Sequence, residues 1–335
     1  MRKSTLLLLC LAVMAFQCVS LTDSKINSAE ASSQSEIAME LSTGKVLTEG
    51  NADAKLPMAS TTKILTAIII IEDCNLDEVI IVPDKAVGVE GSSIYLKKGE
   101  EIDIRDLLYG LMLRSGNDSA AALAIHHSGS IEKFAETMTM RAKQMGAENS
   151  NFKNPSGLPD SEHYTTARDL CNIACYAMKN ETFANIVSTT NHTGKYRNFA
   201  NKNKMLRLYE GANGVKTGYT VKAGRCLVSS AKRNGMNIVC VVLNCPDMYE
   251  RSCEIFDTCF ETYKMLNLTQ DKTFMCNKVL CKLKDNKNIV IKCSENLNFK
   301  VKPVDSDKDG AVAILEIYDE NNLLFSEKLY SIIEK

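Results

Sequence analysis

Residues 56–71 read LPMASTTKILTAIIII, and how this run is taken decides the fold. From Thr62 to Ile71 it is apolar on every side, the pattern of a helix buried at the centre of a domain and not of one lying on its surface. Lys63 is the one charge in it. Ser60 stands three residues earlier, so on a helix both side chains leave the same face and the amine can hydrogen-bond the hydroxyl. A serine hydroxyl is a poor nucleophile until a base takes its proton, and an amine with a pKa near roughly 10.4 cannot do that in neutral water. Burial and the positive end of the helix dipole both favour the neutral amine, which is a competent base. For an isolated SxxK the bland alternative, a snorkelling lysine beside an incidental serine, is the commoner one.

The flanking sequence frames this run. With 335 residues, 45% hydrophobic and 24% charged, the chain has globular composition and length for two domains. A net charge of −1, without blocks of like charge, leaves no electrostatic footprint for nucleic acid or an anionic membrane. A small neutral or mixed-charge ligand fits better. Residues 1–20 begin with Arg2 and Lys3, run apolar from Leu6 to Phe16 and end in small Cys18 and Ser20, which predicts a secretory leader cleaved near Ser20 and an exported protein. The apolar run is short for a bilayer span. Residues 21–35 are a polar, serine-rich spacer. Eleven of the thirteen cysteines follow the leader, mostly inside apolar runs such as NIVCVVLNC (237–245), so they read as small core residues. Their odd number and the lack of a CxxC pair argue against a disulfide scaffold or a zinc site and imply a reducing or anoxic cell surface.

Working outward, residues 37–60 alternate apolar and polar side chains around Ser42-Thr43-Gly44-Lys45, a β-hairpin. Residues 104–128, 131–147 and 165–180 show helical periodicity. Residues 214–220 read as a strand, 225–244 as a hairpin turning at Arg233-Asn234-Gly235, and the segment near Phe256 as a closing helix. Strands at both ends of a helical middle predict an α+β fold, an antiparallel sheet flanked by helices, over residues 36–268. Beyond it, short β-like runs separated by Asn, Asp and Lys predict a small all-β domain over residues 269–335.

Ser60 and Lys63 are not isolated. RSGND supplies Ser115-Gly116-Asn117, and GVKTGYT supplies Lys216-Thr217-Gly218 on an expected strand. Ser-Lys chemistry on an amide needs a second hydroxyl to relay protons, an amide side chain to hold the substrate backbone, and a cation on an exposed strand edge to align it. SxxK, SxN and KTG in this order are the active-site set of penicillin-recognising serine enzymes.

With these and STGKVL, LPMASTTK, SGNDSA, NPSGLPDSEHYTTARDL and GANGVKTGYT, the chain from Ile37 to Leu268 closely resembles the serine-type D-alanyl-D-alanine carboxypeptidases, the low-molecular-mass penicillin-binding proteins with a β-lactamase/transpeptidase-like fold. The resemblance implies Ser60 as acylated nucleophile, Lys63 as its base, and Ser115 with Lys216 as the proton relay. It implies Asn117 on the substrate amide, and the backbone amides of Ser60 and Tyr219, which follows Gly218, as the oxyanion hole. Thr217 and Arg251 would bind the terminal carboxylate. The implied partners are a peptidoglycan stem peptide and β-lactams as covalent inhibitors, with no cofactor. Two competing readings are a β-lactamase and a non-catalytic peptidoglycan-binding or penicillin-sensing protein. The common class A lactamase has Asp where Gly116 stands, and Glu162 lies in PDSEHYTT, the carboxypeptidase pattern; Ser60 and Lys63 are both present.

DSDKDGAVAILE, residues 305–316, matches the EF-hand spacing at Asp305, Asp307, Asp309, Gly310 and Glu316. Alternating strand-like sequence on both sides predicts a hairpin turn instead, with Glu316 facing water. His126, His127, His163 and His192 have no metal-ligand spacing and read as surface or packing residues. Many relatives end in an amphipathic anchoring helix, but residues 323–335 alternate like a strand; no such anchor is expected there, and membrane contact is left open.

Overall fold

The computed structural model describes residues 34–305 and 309–332. The expected leader and nearly all of the spacer lie outside these residues. A five-stranded antiparallel sheet is formed by β1 (Ser35–Glu40), β2 (Val46–Gly50), β3 (Ala212–Thr220), β4 (Gly224–Arg233) and β5 (Met236–Leu243), in the order β2-β1-β5-β4-β3. The β4–β5 hairpin turns at Asn234 and Gly235, both with positive φ, as a two-residue primed turn requires. Alternation sends successive residues of β5 to opposite faces. Val239 and Val241 join the core beneath the helices, whereas Ile238, Cys240 and Val242 pack with Phe256 on the other side. The sheet is therefore covered on both faces, and its central strand β5 is apolar almost throughout.

The central helix is α1 (Lys63–Asp73), with every residue from Lys63 to Ile70 buried. Around it stand α2 (Ile104–Tyr109), α3 (Asn117–Ser128), α4 (Ile131–Gln144), α5 (Ala167–Met178) and α6 (Glu181–Ser188), while α7 (Met248–Thr262) covers the opposite sheet face. The expected α+β class is what the structure has. One local difference matters: residues Ala59–Thr62 form a 3₁₀ turn ahead of α1, with Ala59 at positive φ. Side chains at i and i+3 eclipse in a 3₁₀ turn, which keeps Ser60 and Lys63 together although the serine is not on the α-helix.

After α7 every regular element among the described residues is a strand. Tyr263–Leu268 (β6) lay on the helical side of the expected boundary, yet it pairs with Lys287–Lys292 (β9) and not with the main sheet. Thr273–Cys276 (β7), Val279–Leu283 (β8), Leu297–Pro303 (β10), Ala311–Asp319 (β11) and Asn322–Ser331 (β12) form a second sheet in the order β7-β8-β12-β11-β10. Its core is Leu268, Leu283, Ala313, Leu315, Ile317 and Leu329 with Cys276 and Cys281. β10 and β11 form the hairpin that flanks the acidic loop, residues 306–308 of which lie outside the described ones. Glu316 is in mid-strand, 2.7 Å from Lys302 and bonded by the Tyr318 hydroxyl, so it is paired and does not simply face water. The C-terminal run expected to alternate is β12. Among the described residues no helix is long and apolar enough to cross a membrane.

Candidate active site

Lys63 lies at the centre. Its Nζ is 3.0 Å from Ser60 Oγ, 2.7 Å from Asn117 Oδ1 and 2.6 Å from the Ser156 carbonyl. The Asn117 amide is oriented by its other end, where Nδ2 donates to Glu90 O at 2.5 Å. An ammonium would donate to all three oxygens; in the neutral form the two hydrogens go to Asn117 Oδ1 and Ser156 O, which can only accept, and the lone pair turns to the Ser60 hydroxyl, the arrangement a base needs. Burial first, and then the charge of Lys216, hold the amine well below the ordinary lysine range, against the opposing pull of Asp118.

The second wall begins where α2 runs into a π-helical turn, Gly110–Arg114, a form that often marks functional sites. It ends at Ser115, a buried serine in the left-handed region (φ 65°). Asn117 opens α3, and the buried Asp118 beside it accepts the backbone N–H groups of Ile94 and Leu96, fixing the loop that carries Ser92 and Glu90 to the cleft.

Strand β3 is the third wall. A Cβ at Gly218 would lie 3.0 Å from Met58 O and 3.1 Å from Ser60 N, so only glycine lets this strand approach the nucleophile's turn so closely. Lys216 is buried, donates to Thr217 O at 2.9 Å, and has its pKa lowered to about 7 by burial and then by Lys202. Gly157 is tighter still: at φ +86°, its Cβ would overlap Ala59 O. Under the turn, His163 is buried, not on the surface. Its Nδ1 accepts Lys153 N–H at 3.0 Å, so Nε2 carries the proton and donates to Thr62 Oγ1 at 2.9 Å, and burial pushes its pKa down to about 4.

Ser60 and Tyr219 border two lobes of one cleft. A lobe of about 410 Å³ includes Ser115, Thr217, Gly218, Lys202 and Arg225; the other, about 510 Å³, includes Asn117, Leu158, Pro159 and Val221. A larger hollow of about 680 Å³ lies against α4 and touches none of these groups. Eight of the nine expected site residues line the lobes or bond within them: Ser60, Lys63, Ser115, Asn117, Lys216, Thr217, Gly218 and Tyr219.

Arg251 does not. It sits on α7, gives a two-point bond to Glu36 (2.9 and 2.6 Å) and a third to Glu254 at 2.8 Å, and lines a separate hollow with Cys245 and Asp247. Glu36 is only 15% exposed and needs that partner, so Arg251 is committed elsewhere. The arginine at the cleft is Arg225, which the motifs did not flag. The hairpin register did contain a signal, since Arg225 lies directly opposite Tyr219 in the β3–β4 ladder. Among the described residues no group of three or more His, Cys, Asp and Glu is placed to hold a metal. The eleven cysteines that follow the leader are free thiols in this structure.

The sequence profile described as D-alanyl-D-alanine carboxypeptidase matches residues 22–247. The D-alanyl-D-alanine carboxypeptidase DacF of Bacillus subtilis is 34% identical over 250 residues, which is 69% of this chain and 63% of that protein. Penicillin binding protein 5 from Haemophilus influenzae is a structural neighbour at 25% identity and TM-score 0.76, over 90% of this chain and 96% of that one. The D-alanyl-D-alanine carboxypeptidase of Mycobacterium tuberculosis aligns at 29% identity and TM-score 0.64, over 68% of this chain and 90% of that one.

Proposed function

The chain belongs to the D-alanyl-D-alanine carboxypeptidase family, and from that premise we propose that it removes the terminal D-alanine of peptidoglycan stem pentapeptides through a serine acyl-enzyme. The observation that carries this reading is the buried Lys63, its Nζ 3.0 Å from Ser60 Oγ and its pKa pushed well below the ordinary lysine range by burial. Lys63 takes the hydroxyl proton as Ser60 Oγ attacks the penultimate carbonyl. The backbone N–H groups of Ser60 and Tyr219 receive the developing oxyanion. Ser115 and Lys216 pass the proton on to the leaving amine, and Lys216, with a pKa of about 7, can give and take it near neutral pH. Asn117 already bonds Lys63 and Glu90, so it holds a substrate amide only by sharing or exchanging one of those bonds. Water then hydrolyses the ester.

A β-lactam presents a strained ring amide in place of the peptide bond to Ser60 and stays attached, which makes the protein penicillin-sensitive. Trimming pentapeptides removes the donor for cross-linking, so the cellular role is wall maturation. The leader-like first twenty residues support export to the envelope. The experiment is D-alanine release from a pentapeptide together with intact-protein mass spectrometry after penicillin treatment. Wild type should release D-alanine and gain one adduct, and Ser60→Ala and Lys63→Ala should do neither. An adduct on Ser60→Ala would sink the assignment; an adduct on wild type without D-alanine release would favour a penicillin-sensing protein.

A further inference from the structure

The two lobes beside Ser60 differ in charge. The lobe holding Thr217 is bordered by Arg225 and Lys202, and no carboxylate side chain lines it. Among the described residues neither cation meets an acidic partner. Directly opposed residues in an antiparallel ladder share a sheet face, as do residues two apart on one strand, so Thr217, Tyr219 and Arg225 present side chains to the same side. Lys202 is held below the ordinary lysine range by burial and then by the charge of Arg114. The other lobe carries Leu158, Pro159 and Val221 and suits the body of a peptide.

We propose that Arg225, seconded by Lys202, binds the carboxylate of the leaving D-amino acid, the role that the motif pattern gives to Arg251. The inference rests on the carboxypeptidase reading and deepens it, because it fixes which side of Ser60 takes the leaving group. A guanidinium presents two parallel N–H groups to a carboxylate, and an unpaired one at the cleft has that fork free. Arg251 has spent its fork on Glu36, and moving it to substrate would strand a largely buried carboxylate. Arg225 acts by binding and takes no part in bond making.

The test compares kcat/KM for a peptide ending in D-Ala-D-Ala with that for the same peptide carrying a terminal amide. Wild type should prefer the free acid. Arg225→Ala should reduce that preference tenfold or more, mainly through KM, with Arg225→Lys recovering part of it and Lys202→Ala giving a smaller loss. Arg251→Ala should leave the acid-to-amide ratio unchanged and lower the melting temperature. The ratio is read a second time from acylation rates with penicillin and its methyl ester. An enzyme that takes penicillin but neither peptide overturns the carboxypeptidase reading while this second ratio still judges Arg225. An unchanged ratio in Arg225→Ala, or its collapse in Arg251→Ala, overturns the proposal.

Discussion

Lysine occurs in two opposite settings in this molecule. In the cleft, Lys63 and Lys216 are buried with no carboxylate bonded to either, and both are pushed toward the neutral amine. In the strands after α7, Lys302 is 54% exposed and paired with Glu316 across the β10–β11 ladder. A buried amine costs stability and is kept only where its lone pair is used; an exposed amine costs nothing and adds little. The contrast teaches which lysines to test: the cost itself points to function.

The largest effects should come from removing the buried amines. Lys63→Met should lower the acylation rate by about 10³-fold or more, as loss of one member of a catalytic unit does. It should bring no clear gain in stability, because Asn117 Oδ1 and Ser156 O lose their donor. Lys216→Met should differ, since that amine bonds only the neighbouring Thr217 carbonyl. With a folded pKa of about 7 against about 10.4 unfolded, the unfolded chain binds more protons between these values. Stability therefore rises with pH across that window, and below it the lysine costs about 5 kcal/mol. Urea unfolding at pH 6 to 10 should find Lys216→Met more stable than wild type at the acid end and lacking much of this rise. Equal slopes in the two proteins would break the comparison.

Gly218→Ala sharpens it with a smaller effect. The added methyl would press on Met58 O and Ser60 N, at 3.0 and 3.1 Å, so β3 must move back from the nucleophile's turn. A displacement of a few tenths of an ångström at positioned reacting groups should slow acylation roughly 10- to 100-fold while the protein still folds. Stopped-flow labelling with a fluorescent penicillin measures this. Wild-type rates in Gly218→Ala would mean that the close approach of β3 does not position Ser60.

The same contrast explains what was legible in the sequence. The central helix declared itself because α1 is apolar on all sides, and the cleft because three short motifs fall in order along one chain. The second sheet was legible only as alternation. The pairing of Tyr263–Leu268 was not legible, because that strand follows α7 without a break and finds its partner β9 some twenty residues further on. His163 was read as a surface or packing residue, and of the two the structure has packing: the residue is buried with its ring on the Thr62 hydroxyl. The Glu36 bond of Arg251 was not legible, because a motif fixes spacing along the chain and not which carboxylate has already claimed a guanidinium. Only the fold brings Glu36 of β1 to α7.

The smallest expected effect lies in the second sheet. Lys302 and Glu316 stand 2.7 Å apart on neighbouring strands, and the carboxyl of Glu316 is held below its usual range by Lys302 and then by the Tyr318 hydroxyl. The pair looks as well formed as any contact of Lys63. It is nevertheless open to water on the lysine side, where screening and the entropy of fixing a long side chain cancel most of the attraction. Lys302→Ala should therefore leave penicillin acylation unchanged and shift the melting temperature by no more than about 1–2 °C, with the shift vanishing at high salt. Calorimetry at low and high ionic strength decides it. A larger, salt-insensitive drop would mean that this ladder pair holds the second sheet together, and that exposure is then a poor guide to what a lysine contributes in this protein.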